Sequence, residues 1–137
     1  MKRFIVVAGS PDSGKTTSIN LVNQKLLKKG YIQLSNCNAN MIELQKDGQK
    51  VLLIPNGDYV SQLDSVFSQI DFNDYYAIVC SSHATRGRQV FNYIHKLIGT
   101  FNLNDTEIIP IFKNLLCNHN KNNQENEMVA DFIVNLI

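Results

Sequence analysis

The chain alternates short apolar runs with amphipathic stretches along its whole length. Residues 4–8 and 76–80 are continuous apolar runs, which are typical of strands buried on both faces of a sheet. Residues 108–112 form a third run, which Pro110 interrupts. Because proline cannot donate to a strand ladder, this third run is predicted to lie at a sheet edge or to contain a bulge.

Helical periodicity fills the intervals between these runs. One helix begins near Thr16, and a second has apolar residues at i, i+3, i+4 and i+7 counted from Leu63. A third covers residues 89–98, with Gly99 as its predicted stop. Residues 118–126 are polar and rich in asparagine, which predicts a loop before a final amphipathic helix.

A hairpin is predicted between the first and second helices. Asp47-Gly48 separates two apolar runs, at 41–44 and 51–54, and Asp-Gly is a strong hairpin-turn signal. Strands that alternate with helices indicate right-handed crossovers. We therefore expect residues 1–137 to form one α/β domain, a three-layer α/β/α sandwich with a mostly parallel sheet plus this β-hairpin.

In such a sheet, ligands bind beyond the carboxyl ends of the strands. The segments expected at that edge are 9–16, 56–59, 81–88 and the loop after Phe112.

Composition narrows the class of protein. The 137 residues suit a single domain, and 13 basic against 12 acidic side chains give no electrostatic argument for a nucleic-acid or membrane partner. No apolar run is long enough to span a bilayer. Three widely spaced cysteines, an odd number, suit reduced thiols, so a cytoplasmic location is expected.

One motif carries chemistry. Gly9-Ser10-Pro11-Asp12-Ser13-Gly14-Lys15-Thr16 fits the pattern G-x-x-x-x-G-K-[ST]. Glycine lets the backbone wrap tightly around an anion, and the following helix directs its positive end at phosphates. Lys15 is suited to reach the β- and γ-phosphates, and the Thr16 hydroxyl is suited to hold Mg²⁺.

This motif, with a predicted strand before it and a predicted helix after it, resembles the P-loop NTPase superfamily. The resemblance implies binding of ATP or GTP with Mg²⁺. The residues it implies for nucleotide binding are Gly9, Pro11, Asp12, Ser13, Gly14, Lys15, Thr16 and Thr17, with the Asp12 side chain turned to solvent. Residues 120–123 are similar to the guanine-reading Asn-Lys-x-Asp of GTPases but lack the aspartate, which favours adenine or loose base selectivity.

The chain departs from the superfamily at the acid that supports Mg²⁺. The buried run at 76–80 is followed by Ser81-Ser82-His83 and offers no carboxylate. The nearest substitute is Asp58, as a Mg²⁺ ligand or as a general base for an acceptor hydroxyl. The alternative is that Asp58 is the N-cap of the helix that carries Leu63.

Two arginines are further candidates. A fainter resemblance links this chain to small bacterial and phage P-loop proteins, in which Gly-Asp (57–58 here) follows one strand and Thr-Arg-Gly-Arg (85–88 here) follows another. Arg86 and Arg88 are suited to clamp phosphates or to stabilise the charge that develops in phosphoryl transfer. The alternative is a solvated helix N-terminus, and the choice between the two arginines is open.

Two functions are consistent with these residues. The first is a kinase-like phosphotransferase or NTPase of unknown acceptor, with Lys15, Asp58 and the two arginines as catalytic residues and Thr16 and Asp58 holding the metal. The second is a nucleotide-switched binding module with little turnover that regulates a partner protein. Self-association is left open. His83 and His95 are weaker candidates, and Cys117 with His119 lacks the further ligands that a metal site needs.

Overall fold

The computed structural model describes residues 1–10, 12–34, 40–57, 59–83, 87–113 and 119–137, with the backbone alone at 87–88 and 119–121. Within these segments, no helix has both the length and the apolar character needed to cross a membrane. The described elements, in chain order, are β1 (Arg3–Gly9), α1 (Lys15–Lys28), β2 (Ile32–Gln33), β3 (Ile42–Lys46), β4 (Gln49–Ile54), α2 (Val60–Phe67), a 3-10 turn (Phe72–Asp74), β5 (Tyr75–His83), α3 (Gly87–Thr100), β6 (Glu107–Lys113) and α4 (His119–Leu136).

The described strands form one mixed sheet in the order β2-β3-β4-β5-β1-β6. The pairs β4–β5, β5–β1 and β1–β6 are parallel, whereas β2–β3 and β3–β4 are antiparallel. The predicted α/β class is confirmed, and so is the edge position of the strand that contains Pro110. The two-residue strand β2, at the opposite edge, was not predicted.

The predicted hairpin is confirmed between β3 and β4. Asp47 and Gly48 both have positive φ angles, 52° and 78°. Two successive residues with positive φ form the mirror-image turn whose twist matches the strands on either side. The chain therefore enters β4 in register, with Lys46 opposite Gln49.

Apolar side chains fill both faces of the sheet. Phe4 and Val6 of β1 face a cluster that includes residues of α2 and α3, whereas Ile5 and Val7 face one that includes residues of α1 and α4. Residues 4–8 are each at most 1% exposed. The run is continuous rather than alternating because helices cover both faces.

Two predicted boundaries are wrong. Gly99 does not stop α3, which continues to Thr100. Asn102 adopts the left-handed conformation instead, with φ 55°, and the Leu103 N–H donates to the Ile98 carbonyl. Asparagine tolerates this conformation because its short polar side chain bonds locally.

The predicted loop over 118–126 is also wrong, since α4 begins at His119. Asparagine is a poor helix former, but tertiary contacts override this preference. Ala130 and Ile133 pack in the core shared with α1, and Lys25 of α1 contacts both Glu127 and Asp131, at 2.8 and 2.9 Å. Packing against α1 thus supports a helix that composition alone disfavours.

The four parallel strands end at one edge of the sheet. The strand registers place Gly9 beside His83 on one side and beside Lys113 on the other. The motif residues therefore leave the sheet from an interior strand, between the ends of β5 and β6.

Candidate functional site

The segment 9–16, called the 9–16 loop below, joins β1 to α1 and is tightly wound. A Cβ atom added to Gly9 would lie 2.9 Å from the Lys113 carbonyl oxygen and 3.2 Å from Ser13 Cβ. The Ser13 N–H donates to the Ser10 carbonyl at 3.2 Å. Only glycine fits at position 9, because backbone and side-chain atoms lie too close on two sides to admit a Cβ.

Lys15 is buried at the start of α1. Its side chain is only 6% exposed, and Nζ donates to the Gly9 carbonyl at 3.0 Å. The lysine therefore folds back over the 9–16 loop to the residue at which that loop begins. Burying an ammonium group is costly unless it is paired, so its position here is a specific feature of the site.

The N-terminus of α1 lacks a capping side chain of its own. Its N-cap is Gly14, with φ 90°, and glycine has no side chain that could accept a hydrogen bond from the first N–H groups. The first N–H groups of a helix have no intrahelical partners, and the helix dipole makes this end positive. Lys15 and the helix end thus contribute positive potential to the same place.

Ser13 has a buried hydroxyl whose hydrogen bonding is incomplete. The residue is 2% exposed, and its Oγ has no partner among the described residues. An unsatisfied buried polar atom costs about 1–3 kcal/mol. An oxygen-bearing ligand in the loop would remove this cost.

Thr16 connects the loop to the segment after β4. Its exposed Oγ1 donates to the Pro55 carbonyl at 3.1 Å and lies 3.5 Å from Asn56 Oδ1. Ser81 Oγ donates to the same Pro55 carbonyl at 2.8 Å and accepts from the Gly57 N–H at 2.7 Å. The start of α1 and the ends of β4 and β5 are therefore linked by hydrogen bonds through one carbonyl.

These contacts gather several oxygen atoms beside α1. Mg²⁺ takes oxygen ligands, usually several waters and substrate phosphates with only one or two protein groups. No cluster of three or more His, Cys, Asp or Glu side chains suited to a metal occurs among the described residues. The donor set at Thr16 fits a cation that is held mainly by a bound phosphate.

A buried polar cluster supports the loop from the other side. Lys113 ends β6, and its buried Nζ donates to Asn126 Oδ1 at 2.7 Å and contacts Glu125 Oε1 at 2.9 Å. Ser18 Oγ also donates to Asn126 Oδ1, at 3.2 Å. A Cβ on Gly14 would lie 2.9 Å from Asn126 Cγ and closer still to Oδ1, so the cluster packs directly against the turn that starts α1.

Sequence reasoning missed this cluster. The loop after Phe112 was expected at the ligand edge, but Lys113 and Asn126 were not singled out. The available signal was a lysine directly after the apolar run of β6, where a charge is unexpected near a parallel-sheet core. Asn126 gave no signal, because its role depends on α4 packing against α1.

The structure places the described members of the predicted nucleotide site together. Gly9, Ser13, Gly14, Lys15 and Thr16 surround the N-terminus of α1, as the contacts above establish. Thr17 is exposed in the first turn, and Asp12 is exposed with φ 62°. The exposed Asp12 matches the expectation for its side chain.

The remaining predicted residues are not all described. Pro11, Asp58 and Arg86 lie outside the described residues, and Arg88 is described only as backbone in the first turn of α3. The alternative role of Asp58 as an N-cap is corrected: Tyr59 is the N-cap of α2, and its N–H donates to Gln62 Oε1 at 3.1 Å. Cys37 and Cys117 also lie outside the described residues.

The remaining cysteine is not a nucleophile at this site. Cys80 is fully buried in β5, and burial raises the pKa of its thiol. A thiol in apolar surroundings is inert because the reactive thiolate is disfavoured there.

A cleft of about 310 Å³ opens beside the Thr16 contacts. It lies between the start of β3, the segment after β4 and one face of α2. The residues that line it are Asn40, Met41, Asn56, Ser61, Gln62, Ser65, Val66 and Gln69. Asn56 belongs both to this cleft and to the Thr16 contacts, so the cleft and the 9–16 loop are neighbours.

Comparison of the chain with protein-family models, with curated proteins and with solved structures found no match.

Proposed function

We propose that this chain binds ATP or GTP together with Mg²⁺ through the 9–16 loop, as a P-loop protein. The observation that carries the proposal is the placement of Lys15, whose buried Nζ lies 3.0 Å from the Gly9 carbonyl at a helix N-terminus whose N-cap is a glycine. A buried ammonium and the positive end of a helix both favour a polyphosphate. The Ser13 hydroxyl, which has no hydrogen-bond partner among the described residues, supports the same ligand class.

The finer fold assignment is part of this proposal. We assign the sheet and its helices to the three-layer architecture of the P-loop NTPase superfamily. The support is that the 9–16 loop follows the first strand, that this strand has a parallel partner on each side, and that helices pack against both faces of the sheet.

Thr16 is the proposed protein ligand of the metal, with Asp58 as the acid that supports it. Asn56 Oδ1 and the Pro55 carbonyl add oxygens close to Thr16 Oγ1. When bound, Mg²⁺ neutralises charge on phosphate oxygens. Lys15 orients and neutralises phosphates, and Arg86 and Arg88 are the proposed clamps for the transferred group.

We favour phosphoryl transfer or hydrolysis as the reaction. The supporting observation is the polar cleft beside Asn56, which gives an acceptor a place next to the proposed phosphate site. Asp58, which follows Gly57 at this edge, is the proposed general base.

The second candidate is a nucleotide-switched binding module. Its support is the hydrogen bond from Thr16 Oγ1 to the Pro55 carbonyl. If Thr16 turned to a metal, this bond would break and the Pro55–Gly57 segment would lose one of its links. A partner protein could read that change without any turnover.

Calorimetry with Mg²⁺ and ATP or GTP tests the proposal. Lys15→Ala should weaken nucleotide binding at least tenfold, because it removes the buried charge beside the phosphates. Lys28→Ala is the matched control, since Lys28 is an exposed lysine in the last turn of the same helix and should leave affinity unchanged. Urea unfolding of both variants checks that the fold is intact.

The same samples are assayed for phosphate release. Binding that depends on Lys15 and is followed by release favours the enzyme, whereas such binding without release favours the switch. Equal affinity of the wild type and Lys15→Ala, or no binding of either nucleotide, would refute the proposed site.

A further inference from the structure

The cleft beside α2 has a distinct chemistry. Ser61, Gln62 and Ser65 come from one face of α2, and Asn56 joins them from the end of β4. Hydroxyl and amide groups both donate and accept hydrogen bonds, which matches the hydroxyl groups of a ligand. Within the part of the chain that the structure describes, no charged side chain lines this cleft.

The described lining offers no charged side chain that could pair with a strongly charged ligand. A phosphate or carboxylate that enters a cleft loses water, and here no lysine or arginine among the described lining residues replaces it. Met41 and Val66 supply apolar surface suited to the C–H face of a ring. Volumes of about 300–1,000 Å³ are typical of small-molecule sites, so a cleft of about 310 Å³ suits a small ligand.

Two of the lining amides are held in place by α2 itself. Gln62 Oε1 accepts from the Tyr59 N–H at 3.1 Å, and Gln69 Nε2 donates to the Ser65 carbonyl at 2.8 Å. A side chain already restrained in this way loses less conformational entropy when a ligand binds. The polar face is thus partly preorganised.

Asn56 connects the cleft to the proposed phosphate site. Its Oδ1 lies 3.5 Å from Thr16 Oγ1, at the start of α1. A molecule in the cleft that touches Asn56 is therefore within one side chain of Thr16. An acceptor in the cleft and a phosphate donor at the start of α1 would therefore be neighbours, as transfer between them requires.

We infer that this cleft binds the phosphoryl acceptor, and that the acceptor is an uncharged small molecule with several hydroxyl groups, such as a polyol, a sugar or a nucleoside. The inference rests on the proposed function, which supplies the donor nucleotide. In the transfer, the bond from the γ-phosphorus to the β–γ bridging oxygen breaks and a bond to an acceptor hydroxyl oxygen forms. The hydroxyl proton passes to a base and then to water, leaving a nucleoside diphosphate and a phosphate ester.

Nuclear magnetic resonance tests binding separately from transfer. Glycerol, myo-inositol, D-glucose, D-ribose, adenosine and uridine are titrated into ¹⁵N-labelled protein, with D-glucose 6-phosphate and D-gluconate as charged counterparts. At least one uncharged probe should shift the amide signals of Ser61, Gln62 and Ser65. The charged counterparts should bind at least tenfold more weakly.

Ser65→Leu puts a larger, apolar side chain into the cleft and keeps α2, because leucine is a good helix former. The variant should lower the affinity for the bound probe at least tenfold and abolish transfer of ³²P from labelled ATP to that probe. Its affinity for ATP should be unchanged. Gln24→Leu is the matched control, since it introduces the same leucine side chain at an exposed position of α1.

The outcomes separate the two hypotheses. Loss of nucleotide binding in Lys15→Ala, measured by calorimetry, decides the proposed function alone. If ATP binds but no uncharged probe shifts the cleft amides, the acceptor inference is overturned. Transfer or probe binding that Ser65→Leu leaves intact, or a preference for the charged counterparts, also overturns it.

Discussion

Gly14→Ala should destabilise the fold by more than the cost of placing alanine in a left-handed backbone conformation. Gly14 has φ +90°, a conformation that side chains rarely adopt. A Cβ there would also overlap the Asn126 amide, at 2.9 Å from both Cγ and Nδ2. The substitution therefore combines a backbone cost with a steric one.

The steric part is large because Asn126 is fixed in place. It is 5% exposed, and its Oδ1 accepts from Lys113 Nζ at 2.7 Å and from Ser18 Oγ at 3.2 Å. Moving this amide sacrifices those bonds, of which the one to a charged donor alone is worth about 1.5–3 kcal/mol. The left-handed conformation adds about 1–2 kcal/mol. We therefore expect a loss of about 2.5–5 kcal/mol in the free energy of unfolding.

Gly48→Ala is the matched control. Gly48 has φ +78°, but nothing lies within 4 Å of its added Cβ, so only the backbone cost of about 1–2 kcal/mol applies. Urea unfolding of both variants gives the difference. In an Asn126→Ala background, the cost of Gly14→Ala should fall to that of Gly48→Ala.

The double-mutant cycle should give a coupling energy of about 1.5–3 kcal/mol between positions 14 and 126, because their contact is what distinguishes the two glycines. Equal costs for the two glycine variants in the wild-type background would refute the reasoning. So would a Gly14→Ala penalty that persists undiminished without the Asn126 side chain.

Three further predictions concern single residues. Gly99→Ala should raise the free energy of unfolding by about 0.5–1 kcal/mol in urea, because Gly99 lies within α3 and its added Cβ meets nothing within 4 Å; a loss of stability would contradict this. In a variant with serine at the other two cysteines, Cys80 should resist a thiol reagent until the protein unfolds, since burial raises the pKa of its thiol; rapid labelling of the native protein would be the contrary result. The hydrogen bonds that Lys25 donates to Glu127 and Asp131 raise its pKa above the ordinary 10.5, so this group stabilises the fold below that pH and its contribution is lost as pH rises through the higher folded-state pKa. The stability difference between wild type and Lys25→Gln should thus stay constant from about pH 7 to 9 and shrink above about pH 10.5, and a difference that grows there would show the sign to be wrong.

Sequence periodicity predicted the central fold well because burial on two faces leaves a strong signal. Residues 4–8 and 76–80 could be uninterrupted apolar runs only if helices covered both faces of their strands. The Asp47-Gly48 turn was equally predictable, since few residue pairs accept two successive positive φ angles. The local sequence was sufficient to predict these strands and this turn.

The prediction failed where distant contacts decide the structure. The first turns of α4 are rich in asparagine and read as a loop, yet they are helical, and Asn126 at their end accepts hydrogen bonds from Ser18 of α1 and Lys113 of β6. Gly99 read as a helix stop, yet Asn102 takes the left-handed position. Glycine and asparagine both suit that position, so the sequence signal was ambiguous between them.

The candidate site, too, could be predicted where its residues are local in sequence and not where they are distant. The residues of the 9–16 loop follow one another in the chain, so their chemistry could be recognised from spacing alone. Lys113 and Asn126 reach the loop from β6 and α4, and no spacing rule connects them to it. Asn56 and Ser81 are likewise joined to Thr16 only through the sheet.

The two sides of the 9–16 loop are built differently, and this difference bears on function. On one side, Gly14 packs against a buried amide that a lysine and a serine hold, so this side is rigid and fixes where α1 begins. On the other side, Thr16 is exposed and bonds to the Pro55 carbonyl. A ligand at the start of α1 would thus lie between the fixed Asn126 amide and the exchangeable hydrogen bond from Thr16 to the Pro55 carbonyl. Any response to that ligand should therefore travel toward Pro55 and Asn56, and so toward the cleft beside α2, rather than toward β6 and α4.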